Sequence, residues 1–426
     1  MNLIVVDKCT NYCRYCFAST EMGRATAKNT LDRASIEVVA AFVRKSGPGF
    51  SVNVIGGEPF LYRDLGFLLD RLYAEQTFGG ATVFTGGIFK TGLLDAVSHH
   101  AHRTALLFNL NQRRDYVKQA EYDLVLRNLG RAQELGFPVV VGFNIWRSDF
   151  DGDEILDVCH AFGVERLRWT VAYPEAEPSE GVQTLRPDEY PATARSTAAF
   201  LEKAYRRGIQ AWLDCPLPKC FFTAEEVGRL ALTQPGSVSA IRACGPVIDV
   251  APDLTLFRCY ALSATHRRSL TDFEDFATVV RWYEREVDAR FGSPQVFAAC
   301  GTCEFAADRS CFGGCMAHTP SAIGARQPLA TLLEHAHAAM ARRDYDEARR
   351  TLDSVPGRDA SAAMMQAHLA LLEGHPDEAR RWARLSIGRA RSVQVRKRAT
   401  DLLVRISGDT PGRREVRQET TRDGVP

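Results

Sequence analysis

The stretch "DKCTNYCRYCFAST", residues 7–20, places Cys9, Cys13 and Cys16 within eight residues. Three thiols cannot all pair as disulfides, and a closed zinc site takes four ligands. The C-x3-C-x2-C spacing therefore fits a group held by three thiolates with one corner open. A four-iron sulfur cube is such a group, because thiolates hold its irons and the fourth iron can stay free for a small ligand.

The loop follows directly on an apolar run, "NLIVV" (2–6), which reads as a strand. Five more runs of the same kind come after it: "SVNVI" (51–55), "ATVFT" (81–85), "TALLFNL" (104–110), "PVVVGFNIW" (138–146) and "RLRWTVAY" (166–173). They are rich in Val, Ile, Phe and Thr with little alternation, as in strands of a parallel sheet buried on both faces. Helical patterns separate them. In "IEVVAAFVRKSG", apolar residues recur at 36, 39, 40 and 43, and Gly47 marks the stop. Six strand–helix units predict an α/β fold. Periodicity does not choose between an open sheet and an incomplete barrel. "SHHAHR" (98–103) reads as a solvated loop, and Cys159 as plain core.

Bulk properties narrow the function class. The chain has 426 residues, 45% of them hydrophobic, and a net charge of +1. That length predicts two or three domains, and the near-neutral balance disfavours nucleic acid or a membrane surface as partner. The sequence has no apolar run long enough to span a bilayer and no signal peptide, so a cytoplasmic location is expected. In that reducing compartment, twelve cysteines point to metal binding rather than disulfides.

Beyond residue 204 the rhythm changes. Residues 205–326 are rich in cysteine, proline and glycine, and "VIDVAPDLTLFRC" (247–259) reads as a small hairpin. Metal would supply much of this segment's folding energy. Residues 327–407 lack cysteine and repeat "DEARR" from 346 and from 377. That period of 31 is close to the ~34 residues of tetratricopeptide (TPR) helical hairpins. The polar, aperiodic tail 408–426 is expected to be disordered.

The first loop resembles the signature of the radical S-adenosylmethionine (radical SAM) superfamily, in which Cys9, Cys13 and Cys16 would hold a [4Fe-4S] cluster. Tyr15 matches the aromatic residue usual before the last cysteine. "GGEP", Gly56, Gly57, Glu58 and Pro59, follows the second strand where that family contacts the methionine amino group of S-adenosylmethionine. Asn109, Asn111 and Asn144, at the ends of strands four and five, match positions that reach the cofactor's ribose and carboxylate. The resemblance implies a partial (β/α)6 barrel over residues 1–204. It also implies reductive cleavage of the cofactor to a 5′-deoxyadenosyl radical that takes hydrogen from a substrate. An electron donor such as flavodoxin or ferredoxin would serve as partner.

The later cysteines resemble the SPASM extension of such enzymes, which carries auxiliary clusters. Cys244 and Cys259 span the hairpin, and Cys300, Cys303, Cys311 and Cys315 follow. Three departures stand out. Seven residues, not five, separate Cys303 from Cys311; Leu254 replaces the hairpin glycine; no cysteine follows Cys315. Cys215 and Cys220 in "DCPLPKC" would make up the number, giving one or two auxiliary [4Fe-4S] clusters. A zinc ribbon of Cys300, Cys303, Cys311 and Cys315 is the alternative. By this resemblance the substrate is a ribosomally made peptide or a protein, to be crosslinked, oxidised or epimerised. With the first strand at residue 2, the helical repeats or a separate protein would bind a leader peptide. The alternatives are a small molecule such as an amino sugar, or a non-catalytic iron–sulfur scaffold. No residue is assigned as catalytic acid or base.

Overall fold

The buried strands pair in chain order: β1 (Asn2–Ile4), β2 (Phe50–Ile55), β3 (Phe78–Thr85), β4 (Thr104–Asn109), β5 (Val139–Ile145) and β6 (Arg166–Val171). Each runs parallel to the next. A doubly wound sheet reverses its strand order at a switch point; these six strands do not. Right-handed crossovers taken in one direction put the helices on one face and curl the sheet. The architecture is thus the partial barrel rather than the open doubly wound sheet.

The computed structural model describes residues 1–11, 13–16, 18, 29–173, 183–185, 189–239, 244–245, 247–263, 265–289, 297–316, 329–353, 360–390 and 393–407. It divides into two compact units, Met1–Arg326 and Gln327–Pro426. Among the described residues of the first unit, one sheet of ten strands runs in the order β10-β9-β8-β1-β2-β3-β4-β5-β6-β7.

Local chemistry explains the elements. Asp32 caps the helix Arg33–Lys45 by accepting the Ser35 N–H, and Arg44 and Lys45 sit in its last turn, where the helix dipole favours cations. Its Ile36, Val39, Ala40 and Val43 face is buried, each large side chain contributing about 1.5–3 kcal/mol. Cys159 is buried in the core as expected. The "SHHAHR" segment is a 3-10 helix rather than an open loop, with the His100 ring 4.7 Å from that of Tyr73. Asp70 accepts from both His99 and His100.

The segment 205–326 contributes strands to both edges of this sheet. β7 (Gln210–Leu213), which the sequence reading did not separate out, extends it beyond β6. The expected hairpin forms as β8 (Asp249–Val250) and β9 (Thr255–Phe257), followed by β10 (Arg268–Ser269). β8 pairs with β1 in parallel, Leu3 opposite Val250. Side chains fasten this join: Asn53 donates to Asn2 at 2.9 Å, and Asn2 donates to the fully buried Asp249 at 2.6 Å. Burial pushes the Asp249 carboxyl up to about 7. Leu254, in the place of the hairpin glycine, has φ +66, a left-handed conformation that costs an L-residue about 1–2 kcal/mol.

Among its described residues, the second unit contains two helical hairpins, Leu329–Ala341 with Tyr345–Asp353 and Ala360–Leu372 with Pro376–Arg389, and a further helix, Val393–Ser407. Each "DEARR" opens the second helix of a hairpin. Arg349 of the first repeat pairs with Glu373 and Glu378, which ties one hairpin to the next. Small side chains, Ala336, Ala339, Ala348, Ala367 and Ala383, fill the packed faces. The tail 408–426, expected to be disordered, lies outside the described residues. Among the described residues no helix is long and apolar enough to cross a membrane.

Candidate active site

The cysteine loop leaves β1 at the middle of the sheet, and the turn after β2 clamps it. The Gly57 N–H donates to Val6 O at 2.7 Å, and the Glu58 N–H donates to Lys8 O at 2.9 Å. A Cβ on Gly57 would lie 2.2 Å from Lys8 O, and one on Gly56 would lie 2.4 Å from Val6 O. The two glycines of "GGEP" thus have a reason nearer than any ligand: the cluster loop's own main chain passes against them.

Glu58 is fully buried. Its carboxylate accepts from Thr85 Oγ1 at 2.8 and 2.9 Å, from the Gly86 N–H at 3.0 Å and from the Phe60 N–H at 3.2 Å. Its oxygens therefore tie the β2 turn to the end of β3. Burial pushes its pKa up to about 7 against these donors. Pro59 opens the short 3-10 turn Pro59–Leu61 that follows. On the far side, Thr10 donates to Ile88 O at 2.7 Å. The Asn11 amide lies where a Cβ on Gly86 would be, 1.6 Å from its Nδ2.

The three thiols are half-buried. The Asn11 N–H donates to Cys9 Sγ at 3.4 Å, and Asn111 Nδ2 donates to Cys13 Sγ at 3.8 Å. Burial pushes the Cys9 thiol up to about 11 and raises that of Cys13. Ionising them calls for positive charge, which iron held by these thiols would supply.

A hydrogen-bonded row leads away from Cys13. The Tyr15 hydroxyl donates to Asn111 Oδ1 at 2.6 Å and accepts from Asn144 Nδ2 at 3.2 Å. Arg168 on β6 donates to Asn144 Oδ1 at 2.8 Å and pairs with Asp214, just beyond β7. Next to Asp214 stands Cys215. The Trp146 ring stacks 6.4 Å from that of Tyr15, and the Arg147 guanidinium lies 4.6 Å over Trp146. Asn111, Asn144 and Tyr15 thus come together with Cys13, but through one another.

Asn109 stands apart from this row. Its Oδ1 is buried without a partner, as is Asn11 Oδ1. Buried acceptors are nearly always satisfied. Two open acceptors beside the cysteine loop and the β4 end fit a cofactor rich in amino and hydroxyl donors. Asn11 and Arg168 were not singled out in the sequence. The signals were a polar residue inside the C-x3-C spacer and a charge interrupting the apolar strand "RLRWTV".

Of the later cysteines, Cys300 and Cys311 are buried and Cys220 is exposed, with Cys215, Cys244, Cys259, Cys303 and Cys315 between. Arg258 is fully buried and pairs with Asp288 at 2.8 and 3.1 Å while donating to Cys244 O at 2.9 Å. An arginine directly before Cys259 was the sequence signal for it. Burial raises Cys215 well above the thiol range and Cys259 to about 12. The donor set is all thiolate, which suits iron–sulfur clusters and zinc alike.

Residues 3–161, which hold the triad, the "GGEP" turn and the strand-end asparagines, match the radical SAM superfamily. That part of the chain is a radical SAM domain. A curated relative, GTP 3′,8-cyclase of Aquifex aeolicus (strain VF5), is 26% identical over 168 residues. The match covers 38% of this chain and 52% of the relative, so the chain spans about half the relative's length. Among solved structures, Streptococcus suis SuiB bound to S-adenosylmethionine is similar with a TM-score of 0.51, covering 74% of this chain and 72% of that one. Native anSMEcpe with bound AdoMet is similar with a TM-score of 0.52, covering 74% and 88%. Both are 14% identical to this chain, a likeness of fold alone. The radical SAM family implies a [4Fe-4S] cluster and S-adenosylmethionine. The three-thiol loop and the two open acceptors fit that pair.

Proposed function

We propose that this radical SAM enzyme acts on a peptide or protein, and that its later cysteines hold auxiliary iron–sulfur clusters. When bound, the cluster and S-adenosylmethionine supply a 5′-deoxyadenosyl radical able to take hydrogen from an unactivated carbon. Cys9, Cys13 and Cys16 would hold the cluster. Asn109 and Asn11 would accept from the cofactor, and Tyr15, Asn111 and Asn144 would keep the Cys13 loop in place. Glu58, fully buried, holds the turns around the loop through Thr85, Gly86 and Phe60. The helical hairpins, read as TPR-like, offer stacked surfaces suited to peptide docking.

One observation carries the reading. The row Asn111–Tyr15–Asn144–Arg168–Asp214 runs from Cys13 to the residue before Cys215, and so joins the first cysteine loop to the start of the second cysteine set. Electrons leaving a substrate there would have a path along this row toward an auxiliary cluster at Cys215. The fold neighbours SuiB and anSMEcpe are each also found with a peptide bound, precursor peptide SuiA and Cp18Cys peptide. A reducing cytoplasm, with flavodoxin or ferredoxin as electron donor, suits the chemistry. The similarity to GTP 3′,8-cyclase favours a second reading, a small-molecule substrate such as a nucleotide or an amino sugar.

The test is anaerobic. The reconstituted protein, reduced with dithionite, is given S-adenosylmethionine, and 5′-deoxyadenosine is measured. The expected result is product from the wild type and none from Cys9→Ala/Cys13→Ala/Cys16→Ala. Short peptides encoded beside the gene should change mass on co-expression, whereas GTP should be left intact. No 5′-deoxyadenosine from the wild type would leave the non-catalytic iron–sulfur scaffold instead.

A further inference from the structure

Eight cysteines lie beyond Cys159, and two of them, Cys215 and Cys220, stand in one short loop after β7. Their surroundings differ. Cys215 packs against the main hydrophobic core, as do Cys244, Cys259 and Cys315. After burial and the Asp214 carboxylate, charge on Cys315 and Cys244 bears on the Cys215 thiol, and the Arg258 guanidinium, which donates to Cys244 O at 2.9 Å, acts on both Cys244 and Cys259. The Tyr173 hydroxyl donates to Pro216 O at 2.6 Å, next to Cys215, and Tyr190, Cys315, Cys215 and Cys244 are the charged or ionisable groups that act on it.

Cys220 belongs to another neighbourhood. The Lys219 N–H, one residue away, donates to Cys311 Sγ at 3.4 Å. Lys219 Nζ donates to Ser310 Oγ at 2.9 Å and lies 4.5 Å over the Phe305 ring. This stitches the end of the loop to the segment carrying Cys303 and Cys311. The groups that bear on the Cys220 thiol are Cys300, Cys311 and Cys303.

We propose that the β7 loop gives one ligand to each of two closed four-thiolate sites. Cys215 joins Cys244, Cys259 and Cys315, and Cys220 joins Cys300, Cys303 and Cys311. The inference rests on the auxiliary-cluster reading and deepens it. It accounts for the absence of any cysteine after Cys315, because the missing ligand comes from about 80 residues before Cys300. It breaks up the zinc ribbon, since Cys315 leaves Cys300, Cys303 and Cys311 for the other site. Four thiolates per cluster leave no iron open, so both sites would pass electrons rather than bind substrate. The tether is short. Five residues reach at most about 17 Å, and Pro216 and Pro218 stiffen it.

The test counts iron, not turnover. The full chain carrying Cys9→Ala/Cys13→Ala/Cys16→Ala is reconstituted anaerobically and should hold about eight irons. Adding Cys220→Ala/Cys300→Ala leaves one site with two thiolates, so about four irons should be lost. Adding Cys220→Ala/Cys259→Ala leaves three thiolates at each site, and about eight should remain. Both variants carry the same number of substitutions, so a general folding failure would remove iron from both, against the expected difference. Single Cys220→Ser and Cys300→Ser variants should perturb the same electron paramagnetic resonance signal of the reduced protein. Retention of iron by the first pair with loss from the second would overturn the partition. No iron in the starting variant, or zinc in its place, would instead overturn the auxiliary-cluster reading itself.

Discussion

Gly57→Ala is the substitution that most directly probes how the fold holds the cysteine triad. Gly57 has no left-handed φ, so the effect comes from the added Cβ alone. That atom would sit 2.2 Å from Lys8 O, 2.4 Å from Lys8 C and 2.9 Å from Asp7 O, all main chain. Relief requires the Lys8 carbonyl to retreat by about 1 Å. Overpacking of this kind costs about 1–3 kcal/mol. The shift also strains two main-chain hydrogen bonds, Gly57 N to Val6 O and Glu58 N to Lys8 O, worth about 1 kcal/mol each. The sum is about 4 kcal/mol, or a Tm lower by about 6 °C in a unit of this size.

The functional loss should exceed the loss of stability. Cys9 follows Lys8 directly, and metal–ligand distances tolerate only about 0.2 Å. Gly57→Ala should therefore lose about four irons on anaerobic reconstitution while any iron held by the later cysteines stays. Gly92→Ala is the control. Its Cβ meets nothing within 4 Å, and alanine in a helix should be neutral or stabilising by up to about 1 kcal/mol. Gly86→Ala is intermediate, because the obstacle is the end of the Asn11 side chain, which can swing aside. Wild-type iron content and Tm in Gly57→Ala would refute the clamp.

Three further outcomes follow from the buried polar groups. Glu58 prefers its proton when folded, with a pKa of about 7 against 4.5. Its contribution is fully present below pH 4.5 and is lost as pH rises to about 7, a fall of about 3 kcal/mol. Urea unfolding of the apo protein from pH 5 to 8 should show that slope reduced in Glu58→Gln. Tyr15→Phe leaves Asn111 Oδ1 and Asn144 Nδ2 each without the hydroxyl. It should cost about 2–3 kcal/mol, read as a lower urea midpoint at unchanged m-value. Arg258→Met strands Asp288 and should cost about 3 kcal/mol. Arg258→Met/Asp288→Leu should recover part of that, since both charges then leave together; chemical denaturation distinguishes the two.

Much of the fold was legible because buried parallel strands are written as continuous apolar runs. All six runs became strands within a few residues of their reading. β7 was harder, since "QAWL" is four residues long and carries no pattern of its own. The hairpin was visible as a hairpin. That it would pair with β1 was not, because Asn2 and Asp249 are 247 residues apart and no local rule links them.

By itself, the sequence determined the chemistry available: three thiols on one loop after the first strand, eight more in the second segment, and helical repeats at the end. Ligand spacing is a local property, and local properties survive in one dimension. Only the tertiary structure decided what each polar group does. The Glu58 oxygens go to Thr85, Gly86 and Phe60; Asn111 and Asn144 bond to Tyr15 while Asn109 keeps an open acceptor. A buried donor or acceptor takes whichever partner the packing brings within about 3 Å. Those partners come from strands tens of residues apart, so only the folded chain could name them.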